Sequence, residues 1–147
     1  MIREYKRSDK PEILGLLRKN TPEYFAPAEE KDFENYLDHE VEDYFVYEKN
    51  SNIKGAGGVN FFAKEKLARI SWDIIDPSSQ GCGIGRELTQ YRINHLKEKG
   101  NIELIVVRTT QFVYKFYEKM GFELENTEKD FWAKGFDLYQ MKMNIKN

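Results

Sequence analysis

The sequence predicts an α/β fold, in which helices flank a mixed and mostly antiparallel sheet. The chain has 147 residues, the usual size of one domain. Hydrophobic residues make up 40% and aromatic residues 14% of it, which is enough apolar material for one core. Strand-like and helix-like segments alternate without a repeat or a linker. We therefore expect residues 1–147 to form a single domain.

The N-terminal third predicts one strand and two helices. Residues 2–5 form a brief strand-like segment. Ser8 is a candidate N-cap for a helix that contains Pro11 and an apolar stripe. Two prolines predict a loop over residues 21–27. Residues 28–40 have apolar side chains at helical spacing.

The middle of the chain predicts a meander followed by a long helix. Three strand-like segments cover residues 44–49, 53–63 and 67–75. The connections between them are too short for a crossover helix, so we expect antiparallel pairing. A helix is predicted from Ile84 to about Lys99, with Ile84, Leu88, Tyr91 and His95 on its apolar stripe.

The last third predicts a buried strand, a helix and two closing strands. Residues 102–107 form an apolar run that is typical of a central strand. An amphipathic helix is predicted over residues 111–120. Residues 122–125 and 137–143 are the closing strands, around a loop that contains Trp132.

Composition excludes several classes of function. The formal net charge is −2, whereas nucleic-acid binders are usually basic along one face. The longest runs without a charged residue are nine residues, too short for a membrane helix. One cysteine and two isolated histidines offer neither a disulfide nor a metal-ligand cluster. We expect a cytoplasmic protein without a metal, bound to neither nucleic acid nor membrane.

The most informative segment is a glycine-rich loop between a strand and a helix. Gly81, Gly83 and Gly85 lie just before and at the start of the predicted helix. Glycine allows left-handed backbone angles and close approach of a ligand, and free N–H groups at a helix start attract anions. The sequence therefore predicts a phosphate or pyrophosphate site, although a purely structural turn stays open. Arg86 replaces the lysine that a nucleoside-triphosphate loop requires, and the glycine spacing does not fit a dinucleotide loop.

Two motifs together resemble those of the GNAT superfamily of N-acetyltransferases. The first is Gln80-x-x-Gly83-x-Gly85 after a strand, which resembles the family's acyl-coenzyme A loop. The second is Phe116-Tyr117 followed by Gly121-Phe122, which is similar to the family's aromatic helix end. One predicted helix and one predicted strand separate them. The resemblance implies a GNAT-like fold and transfer of an acetyl group from acetyl-coenzyme A directly to an amine.

The resemblance also implies which residues bind the coenzyme. Backbone amides of the loop would hold the pyrophosphate, and an amide near Ile74 would stabilise the thioester oxyanion. Thr110 stands where relatives often have asparagine, and Arg86 is either a phosphate ligand or a solvated helix residue. Cys82 has no sequence neighbour that would activate it as a nucleophile. The expected coenzyme-binding residues are Ile74, Ile75, Gln80, Gly81, Cys82, Gly83, Ile84, Gly85, Arg86, Thr110 and Phe116.

Tyr117 matches the tyrosine that many relatives use as a general acid toward the thiolate. Proton transfer from a phenol of pKa about 10 to a thiolate of pKa about 8.5 is uphill by roughly 2 kcal/mol. The tyrosine therefore suits hydrogen-bond stabilisation of the developing charge. The alternative is a tyrosine that only packs at a helix end.

The predicted base is Asp73. Strand alternation predicts Arg69, Ser71 and Asp73 on one face, and Ile70, Trp72 and Ile74 on the other. Arg69 falls near the place where some relatives hold a catalytic glutamate, so Asp73 is the candidate base or water anchor. Asp73 could instead bind a cationic acceptor or close a strand-end hydrogen bond.

The loop before the second helix is the predicted acceptor site. Glu23, Tyr24 and Phe25 would contact an amine by charge and cation–π interaction, together with Ser71 on the strand, unless the aromatic rings only cover the core. We expect an acceptor with a primary amine, and favour a small molecule. A protein or peptide N-acetyltransferase and a non-catalytic acyl-coenzyme A-binding module stay open. A homodimer is also open, because dimers are common in the resembling family.

Overall fold

A seven-stranded sheet forms the centre of the structure, a computed structural model that describes residues 1–146. Its spatial order is β1-β2-β3-β4-β5-β7-β6, and among the described strands only β4 and β5 pair in parallel. The strands are β1 (Ile2–Glu4), β2 (Asp43–Lys49), β3 (Asn52–Phe62), β4 (Leu67–Ile75), β5 (Leu104–Thr109), β6 (Glu123–Ala133) and β7 (Phe136–Asn144). The helices are α1 (Lys10–Lys19), α2 (Glu29–His39), α3 (Ile84–Lys99) and α4 (Tyr114–Lys119).

The helices cover the two faces of the sheet and create a core on each. On one face, α1 and α2 contribute apolar side chains such as Leu17 and Phe33, which pack with Val46 of β2. On the other face, Ile93 of α3 and Tyr117 of α4 pack against the strands. Within residues 1–146, no helix is both long and apolar enough to cross a membrane.

The predicted fold class and the order of the elements are confirmed. The predicted N-cap at Ser8 is wrong, because a short 3₁₀ turn precedes α1, which starts at Lys10. The turn is fixed instead by Asp9, whose carboxylate accepts the backbone N–H of Lys6 at 2.8 Å. Arg3 pairs with the same carboxylate at 2.9 Å.

The C-terminal elements differ from the prediction in length. Helix α4 covers six residues, because residues 111–113 form a turn rather than its first helical turn. Gln111 is used to fasten the β6–β7 connection: its side chain donates to Gly135 O and accepts the N–H of Asp137, each at 2.9 Å. Trp132 lies in β6 and not in a loop. The extra strand length escaped prediction because most of β6 is exposed and lacks an apolar alternation.

Strands β4 and β5 pair over only part of their length. Their register runs from Leu67 opposite Leu104 to Ile70 opposite Val107. Beyond these residues β4 continues along β3, while β5 continues along β7. The two parallel strands therefore part in the middle of the sheet, and the gap between them positions the candidate site.

Candidate active site

A bulge in β4 decides which side chains enter the gap. Trp72 has a left-handed φ of 50°, and the β3–β4 register shifts between Ala56 and Gly58. One extra residue at a bulge moves every later side chain to the opposite face. Trp72 therefore packs on the α1–α2 side, whereas Asp73 contacts α3 on the other side.

The bulge overturns the simple alternation predicted for β4. Ser71 lies on the α2 side, where its hydroxyl donates to Asn60 Oδ1 at 2.6 Å. Asp73 does not share that face, because the bulge at Trp72 separates it from Ser71. Ile74 returns to the α1–α2 side and is part of the core there.

Asp73 is held between a buried arginine and the predicted catalytic tyrosine. Arg92 of α3 is 0% exposed, and its Nη1 lies 2.5 Å from Asp73 Oδ1. The hydroxyl of Tyr117 donates to Asp73 Oδ2. Arg92 also donates to the backbone oxygen of Gly58 at 3.1 Å. The carboxylate thus has a fixed position, with each oxygen directed to a different partner.

Gly57 is required by this arrangement. A Cβ at Gly57 would overlap the carboxylate of Asp73 and lie 2.7 Å from Arg92 Nη1. The absence of a side chain on β3 therefore lets the ion pair lie directly against the sheet.

Burial and the charge of Asp73 together determine the protonation states of Tyr117 and Arg92. Burial raises the pKa of Tyr117 well above its usual value, and the negative charge of Asp73 adds to the shift. Burial alone would lower the pKa of Arg92, but the Asp73 carboxylate outweighs it, so the pKa is raised. Tyr117 therefore stays a neutral hydrogen-bond donor and Arg92 stays a cation.

The glycine loop ends β4 and begins α3 in a form that fits a phosphate group. Gly81 and Gly83 have φ values of 86° and 81°, and a Cβ at either would meet nothing within 4 Å. Gly83 precedes α3, whose first backbone N–H groups lack acceptors within the helix. Asp76 stabilises the start of the loop by accepting the backbone N–H of Ser78 at 3.0 Å. An anion beside Gly83 would meet these N–H groups and the positive end of the helix dipole.

A single cavity of about 920 Å³ connects the glycine loop with an aromatic region. Asp73 lies on β4 between the two, and Tyr117 faces it from α4. We call one part the loop half, lined by Gln80, Gly81, Gly83, Ile84, Gly85 and Arg86. The aromatic half is lined by Tyr24, Phe25, Tyr36, Phe62, Trp72 and Trp132.

Most of the site residues predicted from the sequence line this cavity. Besides the loop half, they are Tyr24, Phe25, Ser71, Asp73, Ile75, Thr110, Phe116 and Tyr117. Three others do not line it. Glu23 and Cys82 are exposed outside it, and the side chain of Ile74 is 1% exposed within the α1–α2 core.

Arg92 is the main site residue that the sequence did not reveal. The buried stripe of α3 runs through Leu88, Arg92 and Leu96, whereas Tyr91 is 40% exposed. The predicted stripe through Tyr91 is therefore displaced on the helix. The sequence did contain a signal: Arg92 lies four residues from a leucine on each side, on the same face of the helix. A charged residue on a buried face needs a buried partner.

Asn20 and Arg108 also line the cavity without having been predicted. Asn20 is buried and donates to the backbone oxygen of Ile75 at 3.0 Å, which joins the end of α1 to the end of β4. Arg108 follows the parallel part of β5. Neither belongs to a local motif, so their positions depend on contacts between distant segments.

Comparison with known proteins identifies relatives of this fold. A family model described as an acetyltransferase (GNAT) domain matches residues 13–145. An uncharacterized N-acetyltransferase, ycf52-like, from Prochlorococcus marinus is 44% identical over 62 residues, which are 42% of this chain and 34% of that protein. The chain spans between 17% and 34% of the length of the curated relatives it matches.

Solved structures reproduce the fold over nearly the whole chain. The ribosomal-protein-S18-alanine N-acetyltransferase from Escherichia coli has a TM-score of 0.84 and 18% identity, covering 100% of this chain and 94% of that one. An aminoglycoside 6'-N-acetyltransferase complexed with coenzyme A has a TM-score of 0.79 and 17% identity, covering 100% and 98%. At these identities the likeness concerns the fold.

Proposed function

The chain belongs to the GNAT family of acetyltransferases, and on that premise we propose that it transfers an acetyl group from acetyl-coenzyme A directly to the primary amine of a small molecule. The observation that supports this proposal is the continuous cavity. It joins a backbone anion site at one end to an aromatic region at the other, with Asp73 and Tyr117 between them.

In this proposal the loop half holds the diphosphate of the coenzyme. The N–H groups between Gly81 and Arg86 would contact it, supported by the dipole of the 16-residue helix α3. The side chain of Arg86 lines the same half and would add a positive charge. Ile75, Thr110 and Phe116 line the cavity beyond the loop, where the pantetheine arm would pass.

The pair of Asp73 and Tyr117 would serve the reacting groups. An alkylammonium of pKa about 10.4 leaves only one molecule in roughly 2,500 as free amine at pH 7. A fixed carboxylate helps by orienting the amine or a water molecule that takes up the proton. The raised pKa of Tyr117 opposes full proton transfer from its hydroxyl to the thiolate, so its role is hydrogen-bond stabilisation of that sulfur.

This role requires the hydroxyl of Tyr117 to exchange partners. It donates to Asp73 in the structure, so its proton points to the carboxylate. An ammonium group that approaches Asp73 would compete for the same oxygen and release the hydroxyl toward the sulfur. The acceptor would thereby prepare the tyrosine for the step in which the thiolate leaves.

The test is a measurement of free thiol while the protein is mixed with acetyl-coenzyme A and a panel of amines and peptides. We expect thiol release with small amines. Release with peptides alone would instead assign a protein or peptide acceptor. Coenzyme binding without any turnover would leave an acyl-coenzyme A-binding module. In the same assay, Tyr117→Phe should slow turnover with little loss of coenzyme affinity, and unchanged turnover would remove its role.

A further inference from the structure

Two arginines in the aromatic half lack a counter-ion. Arg69 of β4 lies opposite Val106 of β5, and Arg108 lies two residues further along β5 on the same face. Within residues 1–146, neither side chain forms a hydrogen bond or an ion pair, although both line the cavity. The Nε atom of Arg108 is buried, and it has no hydrogen-bond partner among the described residues.

Aromatic rings hold both guanidinium groups. The Cζ atom of Arg69 lies 5.0 Å from the centre of the Phe62 ring. The Cζ atom of Arg108 lies 4.9 Å from the ring centre of Phe131 and 5.7 Å from that of Trp132. Stacking restrains the plane of a guanidinium and leaves N–H groups at its edge for a planar oxyanion.

The electrostatics of the pair favour an anionic ligand. Burial lowers the pKa of Arg69, and the positive charge of Arg108 lowers it further. Glu40 acts in the opposite direction but forms no ion pair with Arg69 within 4.0 Å. Glu42 is occupied elsewhere, because it accepts hydrogen bonds from Asn60 Nδ2 and the backbone N–H of Phe61, each at 3.0 Å. Two neighbouring cations thus repel each other inside a partly buried cavity.

We propose that Arg69 and Arg108 bind a carboxylate of the acceptor, so that the substrate class is a small amine that also carries a carboxylate, as a free amino acid does. This inference rests on the proposed function. Arg69 precedes Asp73 by four residues, about 13 Å of strand, and the bulge at Trp72 turns the two side chains to opposite faces, but both line the same cavity. Long arginine side chains shorten that gap, so one small molecule can place its amine near Asp73 and its carboxylate on the arginines. The carboxylate neutralises the repulsion between them.

The experiment compares each common amino acid that has a primary α-amine with its decarboxylated amine as acceptor, for the wild-type protein, Arg69→Gln and Arg108→Gln. For each substitution, the fold-decrease in kcat/KM relative to the wild type is determined separately for the amino acid and for its amine, and the two fold-decreases are then compared. Because each ratio is taken with one acceptor, the different basicities of the two amines cancel. We expect kcat/KM for the amino acid to fall about 10- to 100-fold, as for the loss of a charged hydrogen bond, and kcat/KM for the amine to change little. Arg69→Lys should restore part of the loss, because it keeps the charge but not the planar donor edge.

Arg7→Gln is the matched control. Arg7 is exposed in the turn before α1 and does not line the cavity, so the same change of charge should leave all rates unchanged. Coenzyme A affinity, measured by calorimetry, should be the same in all variants, which also verifies that they are folded.

A binding measurement separates this inference from the proposed function. N-acetyl amino acids and the corresponding N-acetyl amines, which are product-like probes, are titrated into the protein in the presence of coenzyme A. Tighter binding of the carboxylate-bearing probes that is lost in Arg69→Gln supports the arginine site even if no turnover occurs. Equal binding of both probes, equal losses for both acceptors, or turnover with peptides alone would overturn the inference, whereas thiol release from simple amines would still support the enzyme.

Discussion

The two halves of the cavity are built in different ways. The loop half is made by consecutive residues, and its binding groups are backbone N–H groups between a strand and a helix. The aromatic half is made by side chains from α2, β3, β4, β6 and the loop after α1. The loop half, which we propose for the coenzyme, therefore depends on backbone angles that glycines permit, whereas the aromatic half, which we propose for the acceptor, depends on tertiary contacts. A family can keep the first and vary the second, since few side chains are shared between them.

The largest effect is expected from a change at Asp73, which lies with Tyr117 between the two halves of the cavity. We call this pair of residues the junction. Asp73→Asn should lower turnover by about 10²- to 10⁴-fold, because the amine loses its charged partner, while coenzyme affinity is kept. Thiol release and calorimetry measure the two quantities. Asp32→Asn, at an exposed position in α2, is the matched control.

Asp73→Asn should also destabilise the folded protein, so the stability of the variant is measured together with its turnover. Asp73→Asn leaves the buried Arg92 without its ion-pair partner, and the loss of one partner of a buried pair costs about 3–5 kcal/mol. Turnover is therefore compared only at temperatures where both proteins are folded. If Asp73→Asn turns over like the wild type, the junction has no role in the chemistry.

A smaller effect is expected from the backbone of the loop half. Gly83 has a left-handed φ of 81°, and an alanine there costs about 1–2 kcal/mol and displaces the first N–H groups of α3. Gly83→Ala should weaken coenzyme A binding by about tenfold or more in calorimetry. Gly15→Ala is the control, because Gly15 lies in α1 with nothing within 4 Å of an added Cβ. Equal affinity of both variants would mean that the loop does not hold the coenzyme.

The smallest effect concerns the stability of the folded protein at alkaline pH, to which the buried Tyr117 contributes. The pKa of Tyr117 is raised in the folded protein, whereas in the unfolded chain it is about 10. Stability from this group is complete below pH 10 and is lost as the pH rises toward the folded pKa, because only the unfolded chain releases the proton. The contribution of Tyr117 is a loss of about 1.4 kcal/mol in the free energy of unfolding between about pH 9 and 11, measured by urea unfolding. Burial also raises the pKa values of Tyr36 and Tyr44, so the contribution of Tyr117 is read as the difference between the wild type and Tyr117→Phe. Tyr117→Phe should reduce the loss between about pH 9 and 11 by that amount, and an unchanged pH dependence would contradict the burial of the Tyr117 hydroxyl beside Asp73.

The same contrast explains what the sequence could predict. The loop and Tyr117 follow local patterns, and the structure brings them to one cavity. The face of Asp73 was predicted wrongly, because a bulge at Trp72 depends on the register with β3 and leaves no mark on β4 alone. The spacing of Arg92 from two leucines indicates a buried charge, but the identity of its partner could not be derived, since Asp73 lies on another element.

The element boundaries show the same limit. The α3 bounds follow from its apolar stripe and the glycines at both ends, and Ile84–Lys99 is confirmed. The length of β6 follows from its pairing with β7, and the exposed side chains of β6 carry no period. Elements that pack on the core are thus predictable from local sequence, and elements that depend on a pairing partner are less so.

The most direct test of the account is a crystal structure of this chain with coenzyme A. We expect the diphosphate on the backbone N–H groups between Gly81 and Arg86, and the thiol in the gap between β4 and β5 beside Tyr117. A diphosphate bound elsewhere, or a thiol that lies outside this gap, would contradict the central claim that one cavity joins the glycine loop to the Asp73–Tyr117 pair.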